Sequence, residues 1–525
     1  MKKEYKWSIN TLLYGLWLLF IFGAALFTDF YDAELPRLTG RFWLLVLGVA
    51  VGAPLLLKKV RDWVPGVCRF GCKLPPWAFR GICFGCSLLV LGFCFLAVCP
   101  GGFDGDPNQQ LQQAISGTYN DYYPVLHTLI VFKLPLALTG GWYPSIILFQ
   151  ILLFSLALTW VCDTVRIASD ALRGFLSLAV ILLNPITQSY LMYGYKDNTF
   201  GICAMVLVCM NARILFSRGA WLKKPVNLVL FSLMLAITSI VRHNGILFAV
   251  PCLIGAALCV SWKRTLAAAG TALIVFFGIK GPLYSALRVE KADDRSSQTM
   301  GLPMAVIGGP VTYRPDKLES DVLDFAYSVA PEEVWQEKYT WGVFNWVDWD
   351  ERSNHEALSE AGMFGALKYM ARAFAEAPKE SLKALIETTK ITYSVVPDQL
   401  ADGRVFLSGG DLGIRDQSIP WMRGIMDSYR GLMYIIAPHS YLHSGVTLLI
   451  LLTVILARFP LNRKESWRRI IPTLSVFCYN LVTMLLLFSW WDGARFFHYS
   501  IWVLPVLLVM LTRERPDKEV RKTDA

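Results

Sequence analysis

The stretch "VLHTLIVFKLPLALTGG" (125–141) decides how the chain is threaded through a membrane. Its apolar run ends at Thr139, carries Lys133 and Pro135, and is followed by two glycines. A helix needs roughly 20 apolar residues to cross a hydrocarbon layer about 30 Å thick, and this run is shorter. It is therefore predicted to be a juxtamembrane helix. If it crossed instead, every later loop would change sides.

Twelve other apolar runs are long enough to cross a bilayer. The chain has 525 residues, of which 55% are hydrophobic and 17% charged, and its mean hydropathy is +0.44. A soluble protein of this size cannot hide a dozen such runs in one core. The composition thus predicts an all-α polytopic membrane protein. Its spans are predicted at about 8–28, 41–57, 79–99, 143–162, 173–192, 198–217, 226–243, 245–261, 265–287, 437–458, 469–488 and 497–513.

The basic residues orient these spans, because cytoplasmic loops of membrane proteins are enriched in Lys and Arg. With the run 125–139 outside the bilayer and the N-terminus inside, every strongly basic loop falls on one side. The segment 288–430 has sixteen basic and 23 acidic residues, a net charge of −7, which leaves +17 for the rest of a chain whose total is +10. The acidic segment is therefore predicted to be external, and both termini cytoplasmic, in the cytoplasmic membrane.

This topology divides the chain into five regions. The first is a pair of N-terminal spans with a basic cytoplasmic loop, and the second is a transmembrane core containing an external loop at 100–142. A large extracytoplasmic region with two amphipathic helices, near 354–376 and 379–395, follows. The last spans and a basic cytoplasmic tail complete the chain. The boundaries are 1–78, 79–287, 288–436, 437–513 and 514–525.

Four polar stretches fall on the external face, at 101–129, 193–198, 241–245 and 490–499. Ionisable groups at the edge of a membrane are costly and indicate function when several converge. Carboxylates can act as a general base or bind metal, Lys and Arg can pair with a phosphate, and His can transfer protons. The candidates are Asp104, Asp106, Asp121, His127, Lys196, Asp197, Arg242, His243, Arg495 and His498.

Three motifs in this order resemble the GT-C superfamily of integral-membrane glycosyltransferases, in particular a largely uncharacterised bacterial branch. They are Asp104-Gly105-Asp106, the segment Asn120-Asp121-Tyr122-Tyr123-Pro124 leading to His127, and Lys196-Asp197-Asn198. The resemblance covers roughly residues 79–290. The two N-terminal spans look like an addition, and the chain from 288 onward is similar only in layout.

The resemblance implies an enzyme that transfers a sugar, with inversion, from a polyprenyl-phosphate donor to a cell-envelope glycan, lipid or protein. Asp104 or Asp106 would be the general base, and a divalent cation such as Mg²⁺ or Mn²⁺ bound by them is left open. Lys196 would lie near the lipid phosphate, with Asp197 as a second acidic contact or as its ion-pair partner. Asp121 and His127 would contact the acceptor or support the base.

The predicted topology adds the remaining phosphate-binding candidates, which are Arg242, His243, Arg495 and His498. The lipid bilayer is the other expected partner, and no nucleic acid is expected.

Simpler interpretations stand beside these. The acids of the first loop fit a solvated turn, and Asp121 fits an N-cap of the following helix. Lys196-Asp197 fits a surface ion pair, Arg242-His243 fits snorkelling to headgroups, and 490–499 fits an interfacial aromatic belt. For the whole chain, the alternatives are a secondary transporter or lipid flippase, which inverted repeats and charges at mid-membrane would indicate, and a non-catalytic relative of the same fold.

Overall fold

A computed structural model describes residues 9–29, 31, 35–63, 74–103, 105–291, 300–395, 412–436, 443–461, 463–486 and 494–513. This part of the chain is nearly all helical and contains no strand. Its longer helices are α1 Ile9–Asp29, α2 Leu35–Trp63, α3 Pro76–Ala97, α4 Asp106–Ser116, α5 Val125–Leu138, α6 Pro144–Ala168, α7 Ala171–Leu182, α8 Pro185–Tyr190, α9 Lys196–Phe216, α10 Pro225–Ile240, α11 Ile246–Ala257, α12 Trp262–Ala286, α13 Gly301–Tyr313, α14 Ser320–Val329, α15 Glu332–Lys338, α16 His355–Glu376, α17 Pro378–Tyr393, α18 Pro420–Ile436, α19 Ser444–Arg458, α20 Lys464–Leu486 and α21 Arg495–Thr512.

Seven of these helices are long and apolar enough to cross a membrane, namely α1, most of α2, α3, α6, α9, α12 and α21. Each coincides with a predicted span. Five further apolar helices, α5, α7, α10, α11 and α19, have 10–17 residues. The chain is thus an all-α, multi-pass membrane protein.

The predicted span 173–192 is not one continuous helix. It ends at Leu182 and restarts as α8, because Pro185 has no N–H to continue the helical hydrogen bonds. The side chain of Asn184 caps the new helix by accepting a hydrogen bond of 2.9 Å from the N–H of Ile186. This break turns the chain toward the polar link at 193–198.

The helix α9 lies at the centre of the bundle, where it packs against α21 and α6. Gly201 permits this packing, because a Cβ atom there would lie 2.5 Å from the indole of Trp502 on α21. Phe154 of α6 contacts the same indole, with ring centres 4.7 Å apart. The close approach of α9 and α21 brings their first residues, Lys196 and Arg495, to the same end of the bundle.

Charged groups gather at both ends of α9. At its C-terminal end, Asp163 accepts ion pairs from Arg80 at 2.8 Å, Arg166 at 2.7 Å and Arg213 at 3.7 Å. Lys196 begins the helix, about 26 Å away at 1.5 Å per residue. This separation is close to the hydrocarbon thickness of about 30 Å. The two charged groups therefore lie where the two surfaces of a bilayer would be.

The segment predicted to be a juxtamembrane helix forms the helix α5. It contains one π-helical segment, Thr128–Lys133, and is about 21 Å long, which is shorter than the hydrocarbon layer. Lys133 does not face lipid, because its ammonium donates a hydrogen bond of 2.8 Å to the carbonyl of Ala114 at the end of α4. The helices α4 and α5 thus pack against each other, and their buried residues join the main hydrophobic core.

Helices α13–α16 have a separate hydrophobic core. Trp335 is fully buried there, and its indole N–H donates to the carbonyls of Ala326 and Ala330. The two helices predicted in this region are present as α16, which is interrupted at Gly362, and α17. Asn354 caps the first by accepting hydrogen bonds from two backbone N–H groups, and Pro378 begins the second.

Candidate functional site

The first polar loop is held against the link at 193–198 by its backbone. The N–H of Gly102 donates a hydrogen bond of 2.7 Å to the carbonyl of Met192. A Cβ atom at Gly102 would lie 2.1 Å from the ring of Tyr193, so only glycine allows this approach. Gln150 of α6 fixes the other side of the link by donating to the carbonyls of Leu191 and Tyr193. The first residues of α4 and α9 therefore meet.

At this meeting point Asp106, the first residue of α4, faces two cations. Its Oδ2 lies 2.7 Å from Nζ of Lys196 and 3.3 Å from a guanidinium nitrogen of Arg495. A fifth of the Asp106 side chain is exposed. Three separate stretches of the sequence thus contribute to one ion-pair network.

Asp197 extends the network into the bundle. Its carboxylate pairs with Arg242 from the α10–α11 turn and lies 3.8 Å from Nε of Arg495. The side chains of Asp197 and Arg242 are only 1% and 7% exposed. Asp106, Lys196, Asp197, Arg242 and Arg495 are called the ionic cluster below. With three cations and two carboxylates, it has a formal charge of +1.

The cations of the ionic cluster are also packed against aromatic rings. Arg495 lies 4.8 Å from the ring centre of Tyr195, Arg242 lies 4.5 Å from that of Phe496, and Lys196 lies 4.9 Å from that of Tyr123. Such contacts stabilise a cation most where water is excluded. The cations are therefore held in fixed positions rather than solvated.

The surroundings of Asp106 decide its protonation. Burial alone would raise the pKa of its carboxyl, but Lys196 and Arg495 outweigh burial and hold that pKa well below its usual range. Burial and the neighbouring Asp106 raise the pKa of Tyr123, so its phenol stays protonated. Asp106 is accordingly a charged acceptor of ion pairs and, in this arrangement, a weak base.

His498 supports the cluster without carrying an ion pair. Its Nε2 lies 3.0 Å from the side-chain oxygen of Asn198, and its Nδ1 contacts the backbone carbonyl of Arg495. Asn198 in turn donates to the carbonyls of Tyr190 and Tyr193. His498 is 2% exposed. It thus connects the start of α21 to the link at 193–198.

The other candidates lie elsewhere. His127 is buried on α5 with Nε2 3.1 Å from the carbonyl of Gly194, behind the ionic cluster. Asp121 pairs with Lys280 of α12 at 2.9 Å, apart from the cluster, and it does not cap α5. His243 follows Arg242 but is exposed. Asp104 lies outside the described residues.

Sequence reasoning missed the polar groups of α4. Gln109 accepts a hydrogen bond of 2.8 Å from the hydroxyl of Tyr123, which also lies 3.4 Å from Asp106. One face of α4 lines a cavity of about 630 Å³ with uncharged polar groups. The repeated Asn and Gln of 108–113 were the available signal. This amide cavity is lined by Gly105, Asn108, Gln109, Gln112, Gln113, Ser116 and Thr118.

The ionic cluster does not fit a metal ion. Divalent Mg²⁺ and Mn²⁺ prefer several oxygen ligands with room for water. Both carboxylates here are already neutralised by Lys and Arg, and among the described residues no three His, Cys, Asp or Glu side chains are grouped to hold a metal.

The arrangement can bind an anionic group at the end of the helices and a neutral polar group beside it. Lysine and arginine suit phosphate oxygens, because they donate charge-assisted hydrogen bonds. Amides suit groups that both donate and accept hydrogen bonds. Comparison of the chain with protein-family models, with curated proteins and with solved structures finds no match in any of the three.

Proposed function

We propose that the protein is a GT-C-like membrane glycosyltransferase that moves a sugar from a polyprenyl-phosphate donor to an envelope acceptor on the extracytoplasmic face. The observation that carries the proposal is the ionic cluster. Its positive excess lies at one end of the spans, where a lipid phosphate resides. It is also next to the amide cavity, where a water-borne acceptor can enter.

In the proposed complex with the donor, Lys196 and Arg495, which face Asp106 in the structure, pair with the donor phosphate instead. Lys196 and Arg495 both lie within 3.3 Å of that carboxylate and are 15% and 16% exposed, so they are the accessible cations of the cluster. Asp197 is more deeply buried, pairs with Arg242 and lies 3.8 Å from Nε of Arg495, which it helps to hold in place. The phosphate is the leaving group of the transfer, and charge on it is stabilised by these cations.

The base is Asp104 or Asp106. Lys196 and Arg495 keep the pKa of Asp106 low, so Asp106 accepts a proton poorly while it holds them. When a phosphate draws these cations away, the pKa of Asp106 rises toward the ordinary value of a carboxyl. The base would then become competent only after donor binding. Asp104 is two residues earlier and would act directly on the acceptor hydroxyl.

The acceptor is proposed to enter through the amide cavity. The described residues of its lining offer donors and acceptors and carry no charge, which suits a sugar hydroxyl better than an anionic group. Gln109 and Tyr123 connect the cavity to Asp106 through hydrogen bonds. An acceptor hydroxyl in the cavity would thus approach the base from the side opposite the lipid.

A secondary transporter or flippase is the alternative, and the position of the charges counts against it. Transporter sites are typically found near the bilayer midplane, on discontinuous helices. Here Lys196 and Arg495 begin α9 and α21, and Asp106 begins α4. The ionic cluster lies at helix ends, which suits chemistry at a membrane surface.

Binding of polyprenyl phosphate without a sugar tests the proposal before the sugar is known. Purified protein in nanodiscs is mixed with the lipid, and bound lipid is counted by native mass spectrometry. Lys196→Gln should weaken binding by about tenfold or more, since it removes a charge-assisted contact worth about 1.5–3 kcal/mol. Lys280→Gln is the control, because Lys280 pairs with Asp121 apart from the cluster. Equal binding by both variants would refute the site.

The base is tested with Asn variants. Asp104→Asn and Asp106→Asn should leave the protein in the membrane, and at least one should abolish sugar transfer. Full activity in both would refute the proposed base. Loss of lipid binding in Asp106→Asn, together with normal binding in Asp104→Asn, would assign Asp106 to the phosphate side.

A further inference from the structure

A second cavity, of about 650 Å³, lies on the apolar side of the molecule, away from the amide cavity. It is a groove between α1, α2, α17 and the end of α20. Its walls are almost entirely hydrocarbon and aromatic, including Phe20, Phe42, Ile386 and Met484. Gly23 lines it without a side chain, and a Cβ atom there would lie at ordinary contact distance, 3.9 Å, from the ring of Phe42. This apolar groove suits a flexible chain.

Its length matches one leaflet of a bilayer. Along α17 the lining extends from Leu382 to Tyr393, about 17 Å at 1.5 Å per residue. Half of a hydrocarbon layer of about 30 Å is about 15 Å. An acyl chain that enters at the membrane surface would therefore fill the groove and end near the bilayer midplane. This position puts α17 beside α1 at membrane depth, although its segment was predicted to lie outside the membrane.

Cations and aromatic rings gather at one end of the groove. Nζ of Lys383 lies 3.9 Å from the ring centre of Tyr31 and 4.3 Å from that of Trp341, and Lys379 lies 4.3 Å from that of Tyr31. Aromatic residues and lysines of this kind mark the headgroup level of a membrane.

We propose that the apolar groove binds one anionic phospholipid of the surrounding bilayer, with an acyl chain between α1, α2 and α17 and its phosphate at Lys379 and Lys383. The charge at one end and the one-leaflet length select this occupant over a neutral lipid or a peptide. The bound lipid would attach the N-terminal hairpin α1–α2 to α17. The inference does not depend on glycosyl transfer.

The test is native mass spectrometry of the full chain released from nanodiscs that contain palmitoyl-oleoyl phosphatidylglycerol (POPG) or the corresponding phosphatidylcholine (POPC). One retained POPG is expected, with weaker retention of POPC. Each lysine near an anionic headgroup contributes about fivefold to affinity. Lys379→Gln with Lys383→Gln should therefore lower POPG retention about 25-fold and POPC retention less, because the choline of POPC neutralises its phosphate. Lys368→Gln is the control, because it removes an exposed lysine that also lies over an aromatic ring.

A second variant tests the chain rather than the headgroup. Gly23→Leu fills the groove and should abolish retention of both lipids. Equal retention of POPG and POPC, or full retention of POPG in the double lysine variant, would overturn the proposal. Displacement of POPG by polyprenyl phosphate, one for one, would assign the groove to the donor chain and would overturn it as well.

Discussion

Asp197→Asn is expected to destabilise the protein severely. The carboxylate of Asp197 is 1% exposed and pairs with Arg242, which is 7% exposed, while Arg495 lies 3.8 Å away. Removing its charge leaves two buried guanidinium groups with Asp106 as the remaining carboxylate of the cluster. Loss of one partner of a buried ion pair costs about 3–5 kcal/mol, because the other charge stays buried without compensation.

The assay is reversible unfolding in mixed micelles, followed by a far-ultraviolet signal. Asp121→Asn is the matched control, because it removes the same charge from a pair whose side chains are 28% and 22% exposed. Such a pair is worth about 0–1 kcal/mol. A double variant, Asp197→Asn with Arg242→Gln, should recover much of the lost free energy of unfolding, because it removes both charges.

A free energy of unfolding of Asp197→Asn within about 1 kcal/mol of the wild-type value, which is the range of an exposed pair, would contradict this expectation. An equal loss in the free energy of unfolding of Asp121→Asn would contradict it as well. Failure of the double variant to recover stability would show that Asp197 acts through contacts other than its charge pair with Arg242.

Three further predictions address the loop, pH and topology. Gly102→Ala should lower the free energy of unfolding by about 1–3 kcal/mol, measured as above, because the new Cβ collides with Tyr193; unchanged stability would contradict the observed contact. The stability that Asp106 contributes is obtained by comparing the wild type with Asp106→Asn. It should be constant above about pH 5 and decline as the pH falls below about 4, because folding lowers the pKa of Asp106. An increase of this contribution on acidification would contradict the direction of the pKa shift. Cysteine introduced at Gly105 should react with an impermeant reagent on intact cells, and cysteine at Lys223 only after permeabilisation; the reverse pattern would overturn the predicted topology.

Hydrophobicity predicted most of the fold, because a membrane helix must be continuously apolar and satisfy its own backbone hydrogen bonds. The same rule overlooked the break at Pro185, although Asn184 and the polar residues 187–189 lie beside it. It also hid Lys280 inside the predicted span 265–287, although this residue pairs with Asp121. A single charge in an apolar run signals a partner but does not identify it.

The candidate site was predicted as a set of residues but not as a network. Topology alone places the polar stretches on one face, and charge suggests that they attract each other. The pairing of Asp106 with Lys196 and Arg495 depends on close backbone contacts at Gly102 and Gly201, which no sequence pattern specifies. For this reason a lowered pKa for Asp106 could not have been expected from its position beside Gly105.

The amides of α4 illustrate a different gap. Gln and Asn in a helix are commonly solvated, and their position facing a cavity emerges only once α4 packs on α5. Among the described residues, the absence of a metal-ligand group also depends on geometry. Asp106 and Asp197 could have bound a metal, but Lys196, Arg242 and Arg495 already neutralise their charges.

The proposed role of the ionic cluster is to support transfer of a sugar from a lipid phosphate. The most direct measurement incubates proteoliposomes of the wild type and of Lys196→Gln with a panel of radiolabelled polyprenyl-phosphate sugars and follows release of the sugar from the lipid. We expect the wild type to release the sugar from at least one donor, and Lys196→Gln to release it at a rate at least tenfold lower. Movement of intact donor across the bilayer without release, or equal rates in both proteins, would contradict it.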